Sequence, residues 1–356
     1  MNVNRVMADQ RQRRDFSCAG NGARTLRRLG AGFAMSLAAL LPTCEAAAQK
    51  LVAAYGQPNI YNAVVWIAQE KGFFKANKLS VEVIQLGNSR GPEALAAGNI
   101  QFLMTPATTP ILSRLAGTDC VLVGILVNKM PYDIVVNPRR IATIAEIKGK
   151  TCALFGLGDL TGVAANEGLR AYGIDLRKET TLRHGFRADT DRLGALVNGN
   201  ADFSVLHMDF RRQYEQAGMK KLIPLAEENK TDFILSGIYT TRRLAHANPE
   251  KVLGFLRAMS EATHFLLTHK DEALDIAAKY SGRRRAEIEE SYRLHLPIIS
   301  KVPWVTPEAV SNSLRALAIV NPKTGEADAK QFFNASFVAK LQRDGLFDAL
   351  WGADNY

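Results

Sequence analysis

From residue 51 onward the apolar positions switch repeatedly between two periods. Short β-branched runs alternate with stretches in which apolar residues recur at helical spacing, the alternation expected of α/β architecture. The clearest unit is AVVWIAQEKGFFKANKLSVEV, residues 63–83. Ala63, Trp66 and Ile67 share the apolar face of a helix, which assigns Trp66 to the core. Gly72 follows the last turn as a stop signal, and Lys71 is favourable at the negative end of the helix dipole. Phe73, Phe74 and a short polar turn then lead into a strand. The same reading predicts strands over 51–55, 80–86, 100–105, 120–127 and 132–137, the last closed by Pro138, with helices over 62–70, 91–97 and 109–115. The cycle then restarts. A short helix over 144–147 precedes strands over 150–155, 181–185, 201–207, 221–225 and 233–240, interleaved with helices over 162–172, 189–197 and 210–217. Beyond residue 240 the pattern is almost wholly helical, over 249–280, 284–294 and 307–318.

A degenerate repeat runs through this alternation. EALAAGNIQFLMT (93–105) aligns with GALVNGNADFSVLH (194–207) on A-L-x-x-G-N followed by a strand. In each copy a helix stops at a glycine, Gly98 or Gly199, which tolerates the left-handed conformation required there. The spacing of about one hundred residues predicts two similar lobes, 49–136 plus 236–356 and 137–235. Residues 135–138 and 235–238 would be two crossover strands forming a hinge around a ligand.

The first residues follow a different pattern. Residues 1–28 carry seven Arg and two Asp, and 29–42 (LGAGFAMSLAALLP) is an apolar run of secretory length, too short to span a bilayer. Ala46-Ala47-Ala48 offers a small-residue cleavage site, so 1–48 is expected to be a signal peptide and Gln49 the mature N-terminus. Arg13-Arg14-Asp15-Phe16 resembles part of a twin-arginine signal but lies far from the apolar run, which favours the general secretory route. Leu41-Pro42-Thr43-Cys44 makes a poor lipobox, since small residues should precede the Cys.

Composition narrows the function classes. The 356 residues are 47% hydrophobic and 22% charged, ordinary for a globular chain. The net charge of +10 is partly the leader's; residues 49–356 hold 38 Lys/Arg against 32 Asp/Glu. No Lys/Arg run is interleaved with aromatics, so nucleic acid is not an expected partner. Cys120 and Cys152 lie in apolar, strand-like contexts that suit buried thiols, and a disulfide between them stays open.

Ligands in open α/β sheets bind outside the carboxyl ends of strands. That rule selects Asn59, Tyr61, Asn88, Ser89, Arg90, Thr105 and Thr108 in the first lobe, and Gly158, Asp159, Thr161, Phe186, Arg187 and Asp209 in the second. Arg90 and Arg187, one per lobe, suggest an anionic ligand, because Arg can hold a carboxylate or sulfonate bidentately. Ser89, Asp159 and Thr161 suit helix caps equally well. The loop 156–162 is Gly-rich but lacks the spacing of a nucleotide site. Tyr61 and Phe186 could wall a flat ligand; for Trp304 core packing is the better reading. The six His show no close ligand pairing, and no nucleophile elbow occurs, so no catalytic residue, metal or cofactor is expected.

Ala68, Gly72-Phe73-Phe74, Leu79, Val81 and Glu82 match A-x-x-x-G-[FY]-F-x-x-x-x-L-x-V-E. Gly87 with Ala94-Leu95-Ala96-Ala97-Gly98, and Asn334 to Val338 before Leu341 and Gly345, add two further segments. Together they resemble the nitrate/sulfonate/taurine type of ABC-transporter periplasmic solute-binding proteins, a family overlapping the thiamine-pyrimidine synthesis-like proteins. One departure is Gln101, where that family commonly has Asp; Asp202 holds the equivalent place in the second copy. The resemblance implies an α/β, two-lobed periplasmic binding protein fold (type II) with a hinge of two crossover strands. It also implies a monomer in the periplasm that captures a small organic ligand, such as a sulfonate or aromatic carboxylate, and delivers it to an inner-membrane ABC permease. The alternatives are an enzyme on the same fold, against which the absent Cys-rich motif and the secretion signal argue, or a partner that presents its ligand to a membrane sensor.

Overall fold

The computed structural model describes residues 50–87, 90–228, 232–353 and 355–356, so the signal-peptide reading of 1–48 lies outside the described residues. Among the described residues ten strands follow in chain order: β1 Leu51–Tyr55, β2 Val81–Gln85, β3 Phe102–Thr105, β4 Val121–Lys129, β5 Tyr132–Val136, β6 Thr151–Ala153, β7 Thr181–Arg183, β8 Phe203–His207, β9 Lys220–Pro224 and β10 Asp232–Thr240. They form two five-stranded sheets, ordered β2-β1-β3-β10-β4 and β7-β6-β8-β5-β9. In the first, β1 runs parallel to β2 and β3, while β10 lies antiparallel between β3 and β4. The second repeats the plan, with β6 parallel to β7 and β8 and β5 antiparallel between β8 and β9. This is the mixed α/β arrangement expected, built on two sheets.

The sequence repeat is visible in atomic detail. The helices Gly91–Ala96 and Asp189–Val197 are followed by Gly98 and Gly199, at φ of 80° and 71°. Gln101 then accepts the Val52 N–H on its Oε1 at 2.8 Å, and Asp202 accepts the Thr151 N–H on its Oδ2 at 2.8 Å. The departure at Gln101 therefore sits at a structural post that steadies the neighbouring strand.

The change of sheet differs from the expected crossover strands. Tyr132 to Val136 pairs residue by residue with β8, wholly inside the second sheet, and β10 lies wholly inside the first. The chain changes sheets at Met130-Pro131 and between Pro224 and Asp232. The cause is long-range pairing, which leaves no local mark in the sequence. Lys129 and Asp232 form an ion pair that ties the two passages together.

Two local differences follow from packing. The two aromatics and the start of the polar turn expected after Gly72 form a short helix, Phe73–Ala76, with Phe74 buried against Phe255 at 5.4 Å between ring centroids. The helical stretch 249–280 breaks at His269 into Pro249–Thr268 and Lys270–Ser281.

Trp66 is fully buried, edge-on to Tyr55 and stacked on Tyr280. A second apolar cluster runs through both sheets, joining Leu103 and Ile125 to Ile134, Leu154 and Phe203. Cys120 and Cys152 are buried free thiols, and burial raises both; Cys120 is pushed up to about 12. Trp304 is not a core residue: it is 40% exposed beside Phe347. Among the described residues no helix is long and apolar enough to cross a membrane.

Candidate functional site

The loops at the carboxyl ends of β1, β3 and β8 converge on a cavity of about 860 Å³. One wall is built from the segment after β1, including Asn59 and Tyr61, from Thr105 at the end of β3, and from Ser236 of β10. The facing wall holds Tyr132 of β5, Leu160, Asp189 and the stretch after β8, including His207 and Asp209. A third side comes from Arg283, Arg284, Glu287, Glu290 and Ser291, in and just before the helix Arg285–His295. The cavity thus draws on both sheets, as strand-end geometry requires.

Three hydrogen-bonded units shape it. Asn59 Nδ2 donates to Tyr61 Oη, and burial raises the Tyr61 phenol well above its ordinary value. Arg192, 3% exposed, donates from Nε to the Val205 carbonyl at 2.9 Å and from Nη2 to Asp189 at 2.7 Å. Asp189 also accepts the His207 N–H at 2.9 Å, which fixes the end of β8. The third unit centres on Asp209. Both its carboxylate oxygens lie 3.0 Å from Ser291 Oγ, which donates, and Arg283 Nη1 stands 3.4 Å away. His207 Nδ1 and His295 Nδ1 are 3.8 and 3.5 Å from the same carboxylate. Burial raises the Asp209 carboxyl, but the two imidazoles, Arg283 and the Ser291 hydroxyl outweigh it and hold the carboxyl below its ordinary value. Burial dominates at His295, taking it down to about 4, so the imidazole is neutral at pH 7.

Of the sequence-selected residues, Asn59, Tyr61, Thr105 and Asp209 line the cavity. Thr108 instead opens the helix Thr108–Leu115. Asp159 is a helix cap: its Oδ1 accepts the Gly162 N–H at 2.9 Å and the Thr161 hydroxyl at 2.7 Å, and the neighbouring Leu160 meets the cavity. Gly158 faces Val320, and Phe186 packs against a small apolar cluster of the second sheet. Arg90 is exposed before the helix Gly91–Ala96, and Arg187 lies 5.0 Å over the Phe155 ring. Neither is among the lining residues, so this pair does not face the cavity. Asn88 and Ser89 lie outside the described residues.

The lining arginines are Arg212, Arg283 and Arg284. Arg283 pairs with Asp209 and lies 3.9 Å from Glu287, and Arg284 pairs with Glu287. Arg212 makes no ion pair among the described residues. Sequence reasoning missed Arg212, Arg192, His207, His295 and Ser291, and its candidate loop 185–189 reached Asp189 without singling it out. The two His are distant in the chain and carry no spacing signal, yet their rings stack with centroids 5.4 Å apart.

A family model described as NMT1/THI5 like matches residues 59–273. A Haemophilus influenzae protein named for thiamine biosynthesis is 23% identical over 234 residues, covering 62% of this chain and 69% of that protein. An Escherichia coli protein named for binding aliphatic sulfonates is 26% identical over 208 residues, covering 58% of this chain and 63% of that one. In solved structures the fold recurs in a sulfonate-binding protein of a Methylobacillus flagellatus ABC transporter, with a TM-score of 0.67 at 17% identity, covering 84% of this chain and 96% of that one. With the family model matching more than half of its length, the chain belongs to the NMT1/THI5-like family.

Proposed function

We propose that this protein is the solute-binding component of an ABC import system, capturing a small anion-bearing organic molecule between its two sheets and catalysing nothing. In this reading the lobes meet at the two chain passages, the ligand's contacts with both walls favour closure, and a permease in the inner membrane reads the closed form. The observation that carries it is the cavity itself. It is built from both sheets and rimmed by Arg212 on one side and Arg283 and Arg284 on the other. A volume of this size suits one small organic molecule. The sulfonate-binding names of the Escherichia coli and Methylobacillus relatives support the anionic character. The arginines in this role are Arg212, Arg283 and Arg284, in place of Arg90 and Arg187.

A thermal-shift screen over aliphatic sulfonates, aromatic carboxylates, nitrate and pyrimidine-like compounds tests the reading. A true ligand at one hundred times its dissociation constant stabilises the folded protein by about 2.7 kcal/mol. Stabilisation by an anionic member of the set is expected. Stabilisation by cationic or neutral members alone would refute the anionic ligand, and no response to any class would sink the binding-protein reading.

A further inference from the structure

We propose that His207, Asp209 and His295 form a binding site for a divalent transition-metal ion of the zinc class, set in the cavity wall. Two imidazoles and a carboxylate are a donor set that suits zinc. One donor atom from each residue lies within 4.8 Å of the others. Ligands at zinc's bond lengths of about 2.0–2.1 Å stand roughly 3.3 Å apart in a tetrahedron, so the three donors must draw together for one ion to reach them all. The Asp209 carboxylate lies 3.5 Å from His295 Nδ1 and 3.8 Å from His207 Nδ1, so both imidazole rings stand beside it.

A second, independent observation is the state of His295. The residue is fully buried, its Nδ1 lies 2.8 Å from the Ser291 carbonyl, and its Nε2 has no hydrogen-bond partner among the described residues. A buried polar nitrogen without a partner is uncommon and costs folding free energy. An imidazole with one nitrogen anchored on a backbone carbonyl and the other left open is how metal-ligating His is usually held. His295 would contribute the nitrogen that does not carry the proton. Ser291 Oγ, donating to both oxygens of Asp209, orients the carboxylate as an outer partner. His207 and Asp209 also line the cavity, which leaves the ion a route from solvent.

One group opposes the ion. Arg283 Nη1 stands 3.4 Å from Asp209 Oδ2, a positive charge beside the proposed position. Arg283 has a second carboxylate within reach, Glu287 at 3.9 Å, onto which it can transfer. Guanidinium and metal therefore compete for Asp209, and this competition separates the proposal from a purely structural cluster. A structural cluster would lose stability without Arg283; a metal site would gain affinity.

The experiment is titration calorimetry of the chelator-stripped full chain with zinc chloride alone, with cobalt(II) absorption reporting coordination geometry. One equivalent is expected to bind. His207→Gln and Asp209→Asn should each weaken binding at least tenfold, and Arg283→Ala should tighten it. His207 is the variant of choice because the ring of His295 is deeply buried, and circular dichroism of each variant establishes that it folds. The proposal is overturned if neither the wild type nor Arg283→Ala binds zinc, if binding survives both ligand substitutions unchanged, or if Arg283→Ala weakens it. No organic ligand is present in the titration, so its outcome is separate from that of the ligand screen.

Discussion

Arg212 illustrates how one residue's surroundings set the role open to it. It is exposed at the start of the helix Arg211–Gln216, while its neighbour Arg211 is committed to Asp133 at 2.9 Å and to Glu227 at 3.0 Å. Two adjacent arginines thus divide the work: one locks helix to sheet, the other offers its charge to the cavity. A rim charge of this kind acts mainly on association rate and its salt dependence. Arg212→Ala is expected to slow capture of an anionic ligand several-fold at low salt, with the difference shrinking as ionic strength rises and the dissociation rate nearly unchanged. Stopped-flow association measured across a salt series checks this. An unchanged association rate at low salt would remove Arg212 from the capture step. Arg90 and Arg187 stand out in the sequence because each sits beside a predicted strand-to-helix turn, while Arg212 falls inside a predicted helix. What separates them is placement: Arg212 lines the cavity, whereas Arg187 spends its guanidinium on the exposed ring of Phe155.

Among elements, the strand-to-helix units were the most legible. The alternation of apolar runs locates all ten strands of the described residues to within a few residues, because buried strands in such sheets read as continuous apolar runs. The A-L-x-x-G-N repeat was also legible, and its chemistry differs between copies. Gln101 is a neutral acceptor for β1, whereas Asp202 is a carboxylate bound both by the Thr151 N–H and by Arg140 at 2.7 Å. Burial raises the Asp202 carboxyl, but the Thr151 N–H and Arg140 prevail and leave it below its ordinary value. A carboxylate depressed on folding contributes stability that is complete above its unfolded pKa and is lost as pH falls through the folded one. Asp202→Ala should therefore cost about 1.5–3 kcal/mol near pH 7, the range for hydrogen bonds to charged groups, and progressively less toward pH 3. Gln101→Ala should show no such pH dependence. Urea unfolding of both variants between pH 7 and pH 3 decides it; a constant Asp202→Ala penalty would contradict the charged role. The polar cluster of His207, Asp209, Ser291 and His295 was illegible for the opposite reason. It joins the end of β8 to a helix far along the chain, and no period or motif announces a contact of that kind.

At the scale of the molecule, the two sheets share a strand order but not a chain order. The second sheet is drawn from one uninterrupted stretch, β5 to β9, whereas the first must wait for β10, the strand seated between β3 and β4. The sequence showed that two similar units exist but not which strands close each sheet, since pairing partners are chosen across the whole chain. This arrangement bears on biogenesis. β4 reads VLVGILVNK, and within its sheet β10 is its neighbour. From the moment Lys129 leaves the ribosome until Thr240 follows it, a long apolar strand has no sheet partner. Unpaired strand edges of this composition are where nascent chains self-associate. A chain truncated after Leu225 is expected to aggregate. Replacing Ile125 by Lys in that fragment should keep it dispersed, as light scattering during refolding would record; scattering that is indifferent to the substitution would clear β4 of the charge. A protein built this way depends on holding its first half apart from other copies until its central strand is made.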